Sequence, residues 1–71
     1  MATNIKLETG GSVWKLHVSE GEEVKAGQEL FILEVMKMEV PYEAPCDGKI
    51  SELHIAEGDA VQEDLVALVI D

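Results

Sequence analysis

"GSVWKLHVSEGEEVKAGQELFILE", residues 11–34, aligns without a gap with "GKISELHIAEGDAVQEDLVALVID", residues 48–71, when the sequence is shifted by 37 positions. Six of the aligned positions are identical, including Gly11 with Gly48, and many others differ only conservatively. Two copies are too few for a solenoid. The alignment therefore predicts a domain with pseudo-twofold symmetry in which each half-repeat supplies half of the core.

Both half-repeats contain short runs of β-branched and apolar residues that are separated by turn signals such as "SEGE", "AEGD" and "CDG". This pattern is typical of strands rather than helices. We expect an all-β fold, a flattened β-sandwich or barrel of two four-stranded antiparallel sheets. The predicted strands cover 3–7, 12–18, 24–25, 28–35, 38–43, 48–55, 61–62 and 66–70.

The apolar positions break strict alternation at the same place in both copies. Residues 13, 16 and 18 in the first copy correspond to residues 50, 53 and 55 in the second. A repeated break of this kind predicts a β-bulge or a strand that bends between sheets. Trp14, which aligns with Ser51, is predicted to fill core space on one side. The predicted shared core consists of Leu16, Val18, Ile32, Leu53, Ile55 and Val69.

Length and charge limit what this chain can be. Its 71 residues predict one small domain covering 1–71, and its net charge of −10 argues against binding to nucleic acid or to an anionic membrane. The single cysteine, Cys46, can form no disulfide within the chain, which suits the reducing cytoplasm. We expect a cytoplasmic protein that is monomeric in isolation.

Residues 35–47 lie between the two copies and have no counterpart after residue 71. The predicted strands 28–35 and 38–43 leave only Met36 and Lys37 between them, which is the spacing of a two-residue hairpin. The favoured turns of such hairpins need positive φ angles, yet neither residue is glycine, asparagine or aspartate. This costly choice of residues indicates that their side chains have a function.

Lys37 lies at the predicted tip between two methionines, where a turn that only favours solubility would carry serine, asparagine or glycine. A catalytic amine needs burial or a neighbouring cation to be reactive at neutral pH. The charged neighbours of Lys37 are instead Glu34 and Glu39. The sequence therefore favours a lysine that another enzyme modifies covalently over a lysine that is itself catalytic, and we expect no enzymatic activity from this chain.

The stretch "EVMKM", Glu34-Val35-Met36-Lys37-Met38, resembles the attachment motif E-A-M-K-M of biotin carboxyl carrier proteins. Together with the duplicated β-unit, it makes nearly the whole chain similar to a biotinyl/lipoyl attachment domain with an attachment hairpin at 35–38. The resemblance implies that Lys37 accepts biotin as an amide on its ε-nitrogen. It also implies that Met36, Met38, Glu34 and Val35 form the motif read by biotin protein ligase.

The resemblance further implies the partners of such a carrier. A biotin carboxylase would load a carboxyl group onto the biotin, and a carboxyltransferase would pass it to an acceptor, as in acetyl-CoA carboxylase. Because the sequence begins at Met1 and ends on the last predicted strand, it resembles a stand-alone carrier. Asp64 and Ala67 stand where the family usually shows glycine and leucine, which predicts a looser last hairpin.

Three alternatives to this interpretation of the sequence remain open. A lipoyl carrier, or an acceptor of both groups, shares the spacing of Glu34 and the flanking glycines, although lipoyl domains usually carry D-K-A at the lysine. An unmodified β-sandwich interaction module would need no lysine at the tip. His17 and His54 could form a metal or enzymatic site, but the repeat explains them equally well as duplicated structural positions.

Overall fold

The computed structural model of the chain describes residues 2–71, which form eight β-strands and no helix. All eight predicted strands are present, with β2 and β6 ending two residues earlier than predicted. None of the described residues belongs to a helix that could span a membrane. The strands are β1 (Thr3–Lys6), β2 (Gly11–Leu16), β3 (Glu23–Val24), β4 (Glu29–Val35), β5 (Met38–Glu43), β6 (Gly48–Leu53), β7 (Ala60–Val61) and β8 (Val66–Ile70).

The strands form two four-stranded sheets. The first sheet has the order β1-β8-β6-β3 and the second has the order β5-β4-β2-β7. All pairings are antiparallel. The shift of 37 positions converts the strand order of one sheet into that of the other, and each sheet contains strands from both half-repeats. The predicted fold class and its pseudo-twofold symmetry are therefore confirmed.

Each half-repeat also places one of its turns on a strand of the other half. The Gly21 amide donates a hydrogen bond to the Ile50 carbonyl at 2.7 Å, and the Gly58 amide donates to the Val13 carbonyl at 2.8 Å. These two bonds are related by the 37-position shift. Because each half satisfies backbone groups of the other half, the two copies must fold together.

The predicted bulge is present in both copies. The register of β2 against β4 shifts between Val13 and Lys15, and the register of β6 against β8 shifts between Ile50 and Glu52. In β2 the extra residue is Trp14. The break in apolar alternation therefore reports a bulge, as expected for one inserted residue in an antiparallel pair.

The repeat is longer than the sequence alignment indicates. Leu7 exchanges two backbone hydrogen bonds with the turn before β8, and Ala44 exchanges two with the turn before β4. Residues 3–7 are thus the structural counterpart of residues 40–44, and β1 corresponds to β5. Residues 35–47 have no counterpart after residue 71, but most of this segment has a structural counterpart before residue 11, so only the region of the hairpin tip is unique.

The core lies between the sheets, and the predicted core list is confirmed in part. Val18 and Ile55 are buried in the core cluster, Val69 is buried but lies outside that cluster, and Leu16 and Leu53 are half-buried at its margin. The fully buried large side chains are Phe31, Leu7, Leu30, Leu33, Ile50, Leu68, Ile70 and Val13.

The placement of Ile32 in the core is wrong. Phe31 and Leu33 are completely buried, and Ile32 lies between them in β4. Because successive side chains of a strand point to opposite faces, Ile32 lies on the outer face of the second sheet, where it is half-buried. Its counterpart Val69 is buried, but it too alternates with core residues and lies outside the main core cluster.

The prediction that Trp14 fills core space is also wrong. Trp14 is 46% exposed, and the Lys15 ammonium lies 5.5 Å from the centre of its ring. The reason is the bulge, which turns Trp14 and Lys15 away from the core while Val13 remains buried.

The turn between β7 and β8 offers a test of backbone strain. Asp64 adopts a φ of 71°, and its counterpart Gly27 has a φ of 87°. A Cβ atom at Gly27 would meet nothing within 4 Å, so a side chain would cause no clash at this position. Exchange of glycine and aspartate between positions 27 and 64 therefore tests backbone strain alone. Asp64→Gly should raise the free energy of unfolding by about 0.5 kcal/mol, and Gly27→Asp should lower it by about 1 kcal/mol. Urea unfolding measures both; a loss of stability in Asp64→Gly would contradict the explanation by strain.

Candidate functional site at the β4–β5 hairpin

The hairpin between β4 and β5 has the predicted two-residue tip. Val35 pairs with Met38, and only Met36 and Lys37 lie between them. The pairing of β4 with β5 continues from this closing pair down to Glu29 and Glu43. The ladder beneath the tip is continuous from Val35 to Phe31 and shifts register only between Phe31 and Glu29, so the tip stands on a well-paired base.

Both tip residues have left-handed backbone conformations. The φ angle is 51° at Met36 and 66° at Lys37, as required by a type I′ turn. Residues with side chains adopt this conformation at a cost of about 1–2 kcal/mol each. The prediction that an unfavourable turn has been kept at residues 36–37 is confirmed, and the strain indicates selection for the two side chains.

The side chains at the tip are directed to solvent. Met36 is 91% exposed and Met38 is 66% exposed, and Lys37 is exposed as well. Among residues 2–71 the ion pairs are His17 with Glu29 and His54 with Glu52, so the Lys37 ammonium takes part in none. The hairpin thus presents an accessible primary amine between two flexible thioethers.

The base of the hairpin is fixed by close packing. Val35 is half-buried and contacts the core cluster. A Cβ atom at Gly11 would lie 2.5 Å from the Glu34 carbonyl oxygen, so glycine is needed where β2 begins beside the hairpin. The exposed Glu34 and Glu39 lie directly opposite each other across the two strands. The motif residues 34–38 therefore combine an anchored base, a carboxylate pair and an exposed tip.

The amine at the hairpin tip stands apart from the other chemically functional side chains. Among residues 2–71, no side chain bonds to the Lys37 amine, and no group of three or more metal-ligating side chains comes together. His17 contacts Glu29 at 3.1 Å, and His54 contacts Glu52 at 3.0 Å. The two histidines thus have separate partners on separate sheets, and the geometry gives the metal alternative no support.

Sequence reasoning missed one exposed group near the hairpin. Trp14, Ile32 and Pro41 lie on the outer face of the second sheet, although the first two were predicted to lie in the core. The signal that could have identified Trp14 is the repeat itself, because its counterpart Ser51 is polar. A position that accepts serine in one copy does not require an aromatic side chain for folding.

The strain at the tip can be tested by Met36→Asn. Asparagine adopts left-handed conformations more readily than methionine, and Met36 contributes almost no buried area. The substitution should raise the free energy of unfolding by about 0.5–1 kcal/mol. Met38→Asn is the matched control, because Met38 lies in β5 and has no strain to relieve. Equal effects of the two substitutions in urea unfolding would rule out relief of strain.

The chain is similar to several known proteins. A family model described as "Biotin-requiring enzyme" matches residues 1–70. The biotin/lipoyl attachment protein of Bacillus subtilis (strain 168) is 42% identical over 64 residues, which cover 90% of this chain and 88% of that protein. The biotin carboxyl carrier protein of acetyl-CoA carboxylase from Solanum lycopersicum is 43% identical over 51 residues, covering 72% of this chain and 73% of the other.

A solved structure shows the same fold. The urea carboxylase of Kluyveromyces lactis superposes on this chain with a TM-score of 0.88 and 31% sequence identity. The match covers 100% of this chain and 6% of that chain. The two packed sheets and their hairpin thus recur as one small part of a much larger carboxylase.

Proposed function

Since this chain belongs to the biotin/lipoyl attachment family, we propose that it is a biotin carboxyl carrier whose Lys37 holds biotin as an amide on its ε-nitrogen. The observation that carries the proposal is the exposed Lys37 on a strained two-residue tip between two exposed methionines. The amine makes no ion pair within residues 2–71 and has open space around it, so an acyl group fits there without moving another side chain.

Modification of Lys37 requires recognition by biotin protein ligase. We assign this recognition to Glu34, Val35, Met36 and Met38. The exposed methionines offer adaptable apolar contacts, and the Glu34 carboxylate offers a charge close to the tip. Val35 fixes the distance between the tip and the core because it is packed against the buried cluster. Met36→Asn should therefore slow ligation even though it stabilises the fold.

When bound, biotin supplies the ureido nitrogen that carries a carboxyl group between a biotin carboxylase and a carboxyltransferase. The residues of this chain position the arm and perform no chemistry on it. The type I′ turn fixes the direction in which Lys37 leaves the sheet, and the paired strands beneath it resist bending. Once the chain is docked on a partner, the tether makes the approach of the arm to that partner's site effectively intramolecular, which raises the local concentration to about the millimolar range.

A ligation assay tests the proposal directly. Incubation with biotin protein ligase, ATP and biotin should add one biotin mass to the chain, and peptide sequencing should place it on Lys37. A parallel incubation with lipoate ligase and lipoate measures the competing modification. If the protein takes up no biotin while an established carrier is fully modified in the same mixture, the proposed function is wrong.

A lipoyl carrier is the second candidate, because the related Bacillus subtilis protein is named for both attachments. The two methionines beside Lys37 favour biotin, since lipoyl domains usually carry aspartate and alanine there. The interaction module is less well supported, because such a module has no use for two strained residues at an exposed tip. We further propose that the carrier is non-catalytic and monomeric and acts in the reducing cytoplasm, on the basis of its charge and its single free cysteine.

A further inference from the structure

The outer face of the second sheet carries an apolar strip. Ile32 in β4 lies directly opposite Pro41 of β5 on one side and Lys15 of β2 on the other. Trp14, at the bulge beside Lys15, is nearly half exposed. We call Trp14, Ile32 and Pro41 the apolar strip. It crosses three neighbouring strands, and no element of residues 2–71 packs over it.

Carboxylate pairs flank the apolar strip on both sides along β4 and β5. Glu34 is directly opposite Glu39 on the side of the hairpin tip, and Glu29 is directly opposite Glu43 on the other side. Like charges in such positions destabilise a sheet. Only Glu29 has a partner within residues 2–71, namely His17 at 3.1 Å. The face therefore combines a mainly apolar centre, beside which Lys15 lies, with the carboxylates of Glu34, Glu39 and Glu43, which form no ion pair within residues 2–71.

The pseudo-twofold symmetry provides an internal comparison. The counterparts of Trp14, Ile32 and Pro41 on the outer face of the first sheet are Ser51, Val69 and Asn4. Serine and asparagine occupy equivalent backbone positions in the same fold, so folding requires neither the tryptophan nor the proline. The apolar strip is a property of the sheet that carries Lys37.

The carboxylate pairs are equally asymmetric. Glu29 and Glu43 correspond to Val66 and Lys6, so the equivalent place on the first sheet carries no pair of like charges. The two outer faces share one backbone design and differ in their side chains. Because the repulsion within the pairs is not needed for folding, it points to complementary charge on a partner.

From this face we infer that the apolar strip and its two flanking carboxylate pairs form the docking surface for the biotin carboxylase, a partner with an apolar centre and lysine or arginine on both sides of it. The inference rests on the proposed function. A biotin carboxylase must bind two anions, ATP and bicarbonate, so basic side chains surround its site. A second copy of this chain is a poor occupant, because it would bring together two proteins with a net charge of −10 each.

The distance from the tip also favours an enzyme that acts on the end of the biotin arm. Ile32 precedes Met36 by four residues, or about 13 Å along a strand. A partner centred on Ile32 is therefore beyond the reach of the Lys37 side chain alone. Trp14 lies at the β2 end of this surface, and an exposed tryptophan is a residue type that often dominates binding.

Kinetics with the biotinylated protein test the inference. The measurement is bicarbonate-dependent ATP cleavage by a biotin carboxylase, with the biotinylated chain as the varied substrate and free biotin as a substrate that does not dock. Trp14→Ser installs the residue found at the equivalent position, and thermal unfolding checks that it folds. It should raise KM for the biotinylated chain about tenfold, with kcat unchanged.

Charge reversal gives a matched pair of variants. Glu43→Lys and Glu52→Lys change the net charge equally, but Glu52 lies in β6 of the first sheet, away from the apolar strip. Glu43→Lys should raise KM at least fivefold and weaken its dependence on salt. Glu52→Lys should leave KM within twofold of the value for the biotinylated chain of original sequence. Equal effects of the two substitutions would show steering by net charge alone and would overturn the inference.

A direct binding signal comes from Trp14, the only tryptophan of the chain. Replacing it with 5-fluorotryptophan gives one fluorine resonance, which should shift or broaden when biotin carboxylase is added. An unchanged resonance together with an unchanged KM in Trp14→Ser would overturn the docking surface while leaving the carrier function intact. If Trp14→Ser impairs ligation or carboxyl transfer instead, the assignment to the biotin carboxylase is wrong. If the biotinylated chain is never carboxylated, the proposed function itself fails.

Discussion

Lys37→Arg should abolish biotin incorporation completely. Arginine retains the positive charge and the left-handed backbone is no less favourable for it than for lysine, so the hairpin should form unchanged. Its guanidinium stays protonated at every accessible pH and cannot attack an activated carboxyl group. The free energy of unfolding should stay within about 0.5 kcal/mol of the original value, because the tip buries almost nothing.

Intact-mass measurement after treatment with biotin protein ligase shows this loss directly. Lys49→Arg is the matched control, because Lys49 is an exposed lysine in β6 of the other sheet. The control should accept one biotin as the original sequence does. Full modification of Lys37→Arg, with the biotin mapped to another lysine, would show that the hairpin is not the attachment site.

Much of this fold is predictable because the sequence is duplicated. Aligned copies predict equivalent strands. A break in apolar alternation that occurs at the same place in both copies is not a chance irregularity, and the register shifts at Trp14 and Ser51 confirm the predicted bulge. The hairpin tip follows from the same logic, since it is what remains between the copies. The counterparts 3–7 and 40–44 escaped detection because "TNIKL" and "VPYEA" share no residue at equivalent positions. Their equivalence lies in backbone hydrogen bonds, which any side chain permits.

The faces of individual strands were harder to predict than the strands themselves. β4 reads "ELFILEV", a nearly continuous apolar run whose composition does not reveal which residues point inward. A shift of one residue exchanges the two faces of a strand, and this error placed Ile32 in the core. Trp14 was misplaced for a related reason, because a bulge can direct its extra residue to either face. Both errors fell on the outer surface beside the hairpin, where packing does not dictate the side chains.

Leu68→Ala should be much more destabilising than Leu53→Ala. Leu68 is completely buried in β8, where it lies opposite Ile5 of β1 on one side and Leu53 of β6 on the other. Truncating a fully buried leucine removes its transfer free energy and leaves a cavity, for a total of about 2–5 kcal/mol. Leu53 is half-buried at the margin of the core, so solvent can occupy part of the space it leaves, and its loss should cost about 1–2 kcal/mol.

The contrast tests the arrangement of the core independently of any ligand. A domain of this length has a total stability of about 4–10 kcal/mol, so Leu68→Ala should remove a large fraction of it and lower the midpoint of urea unfolding strongly. Because the two leucines are cross-strand neighbours in the same sheet, the substitutions have the same chemistry and differ mainly in burial. Equal midpoints for the two variants would mean that the space between the sheets is not closed over Leu68. The margin of the core would then contribute as much as its centre, contrary to the packing of two symmetric sheets around their buried faces.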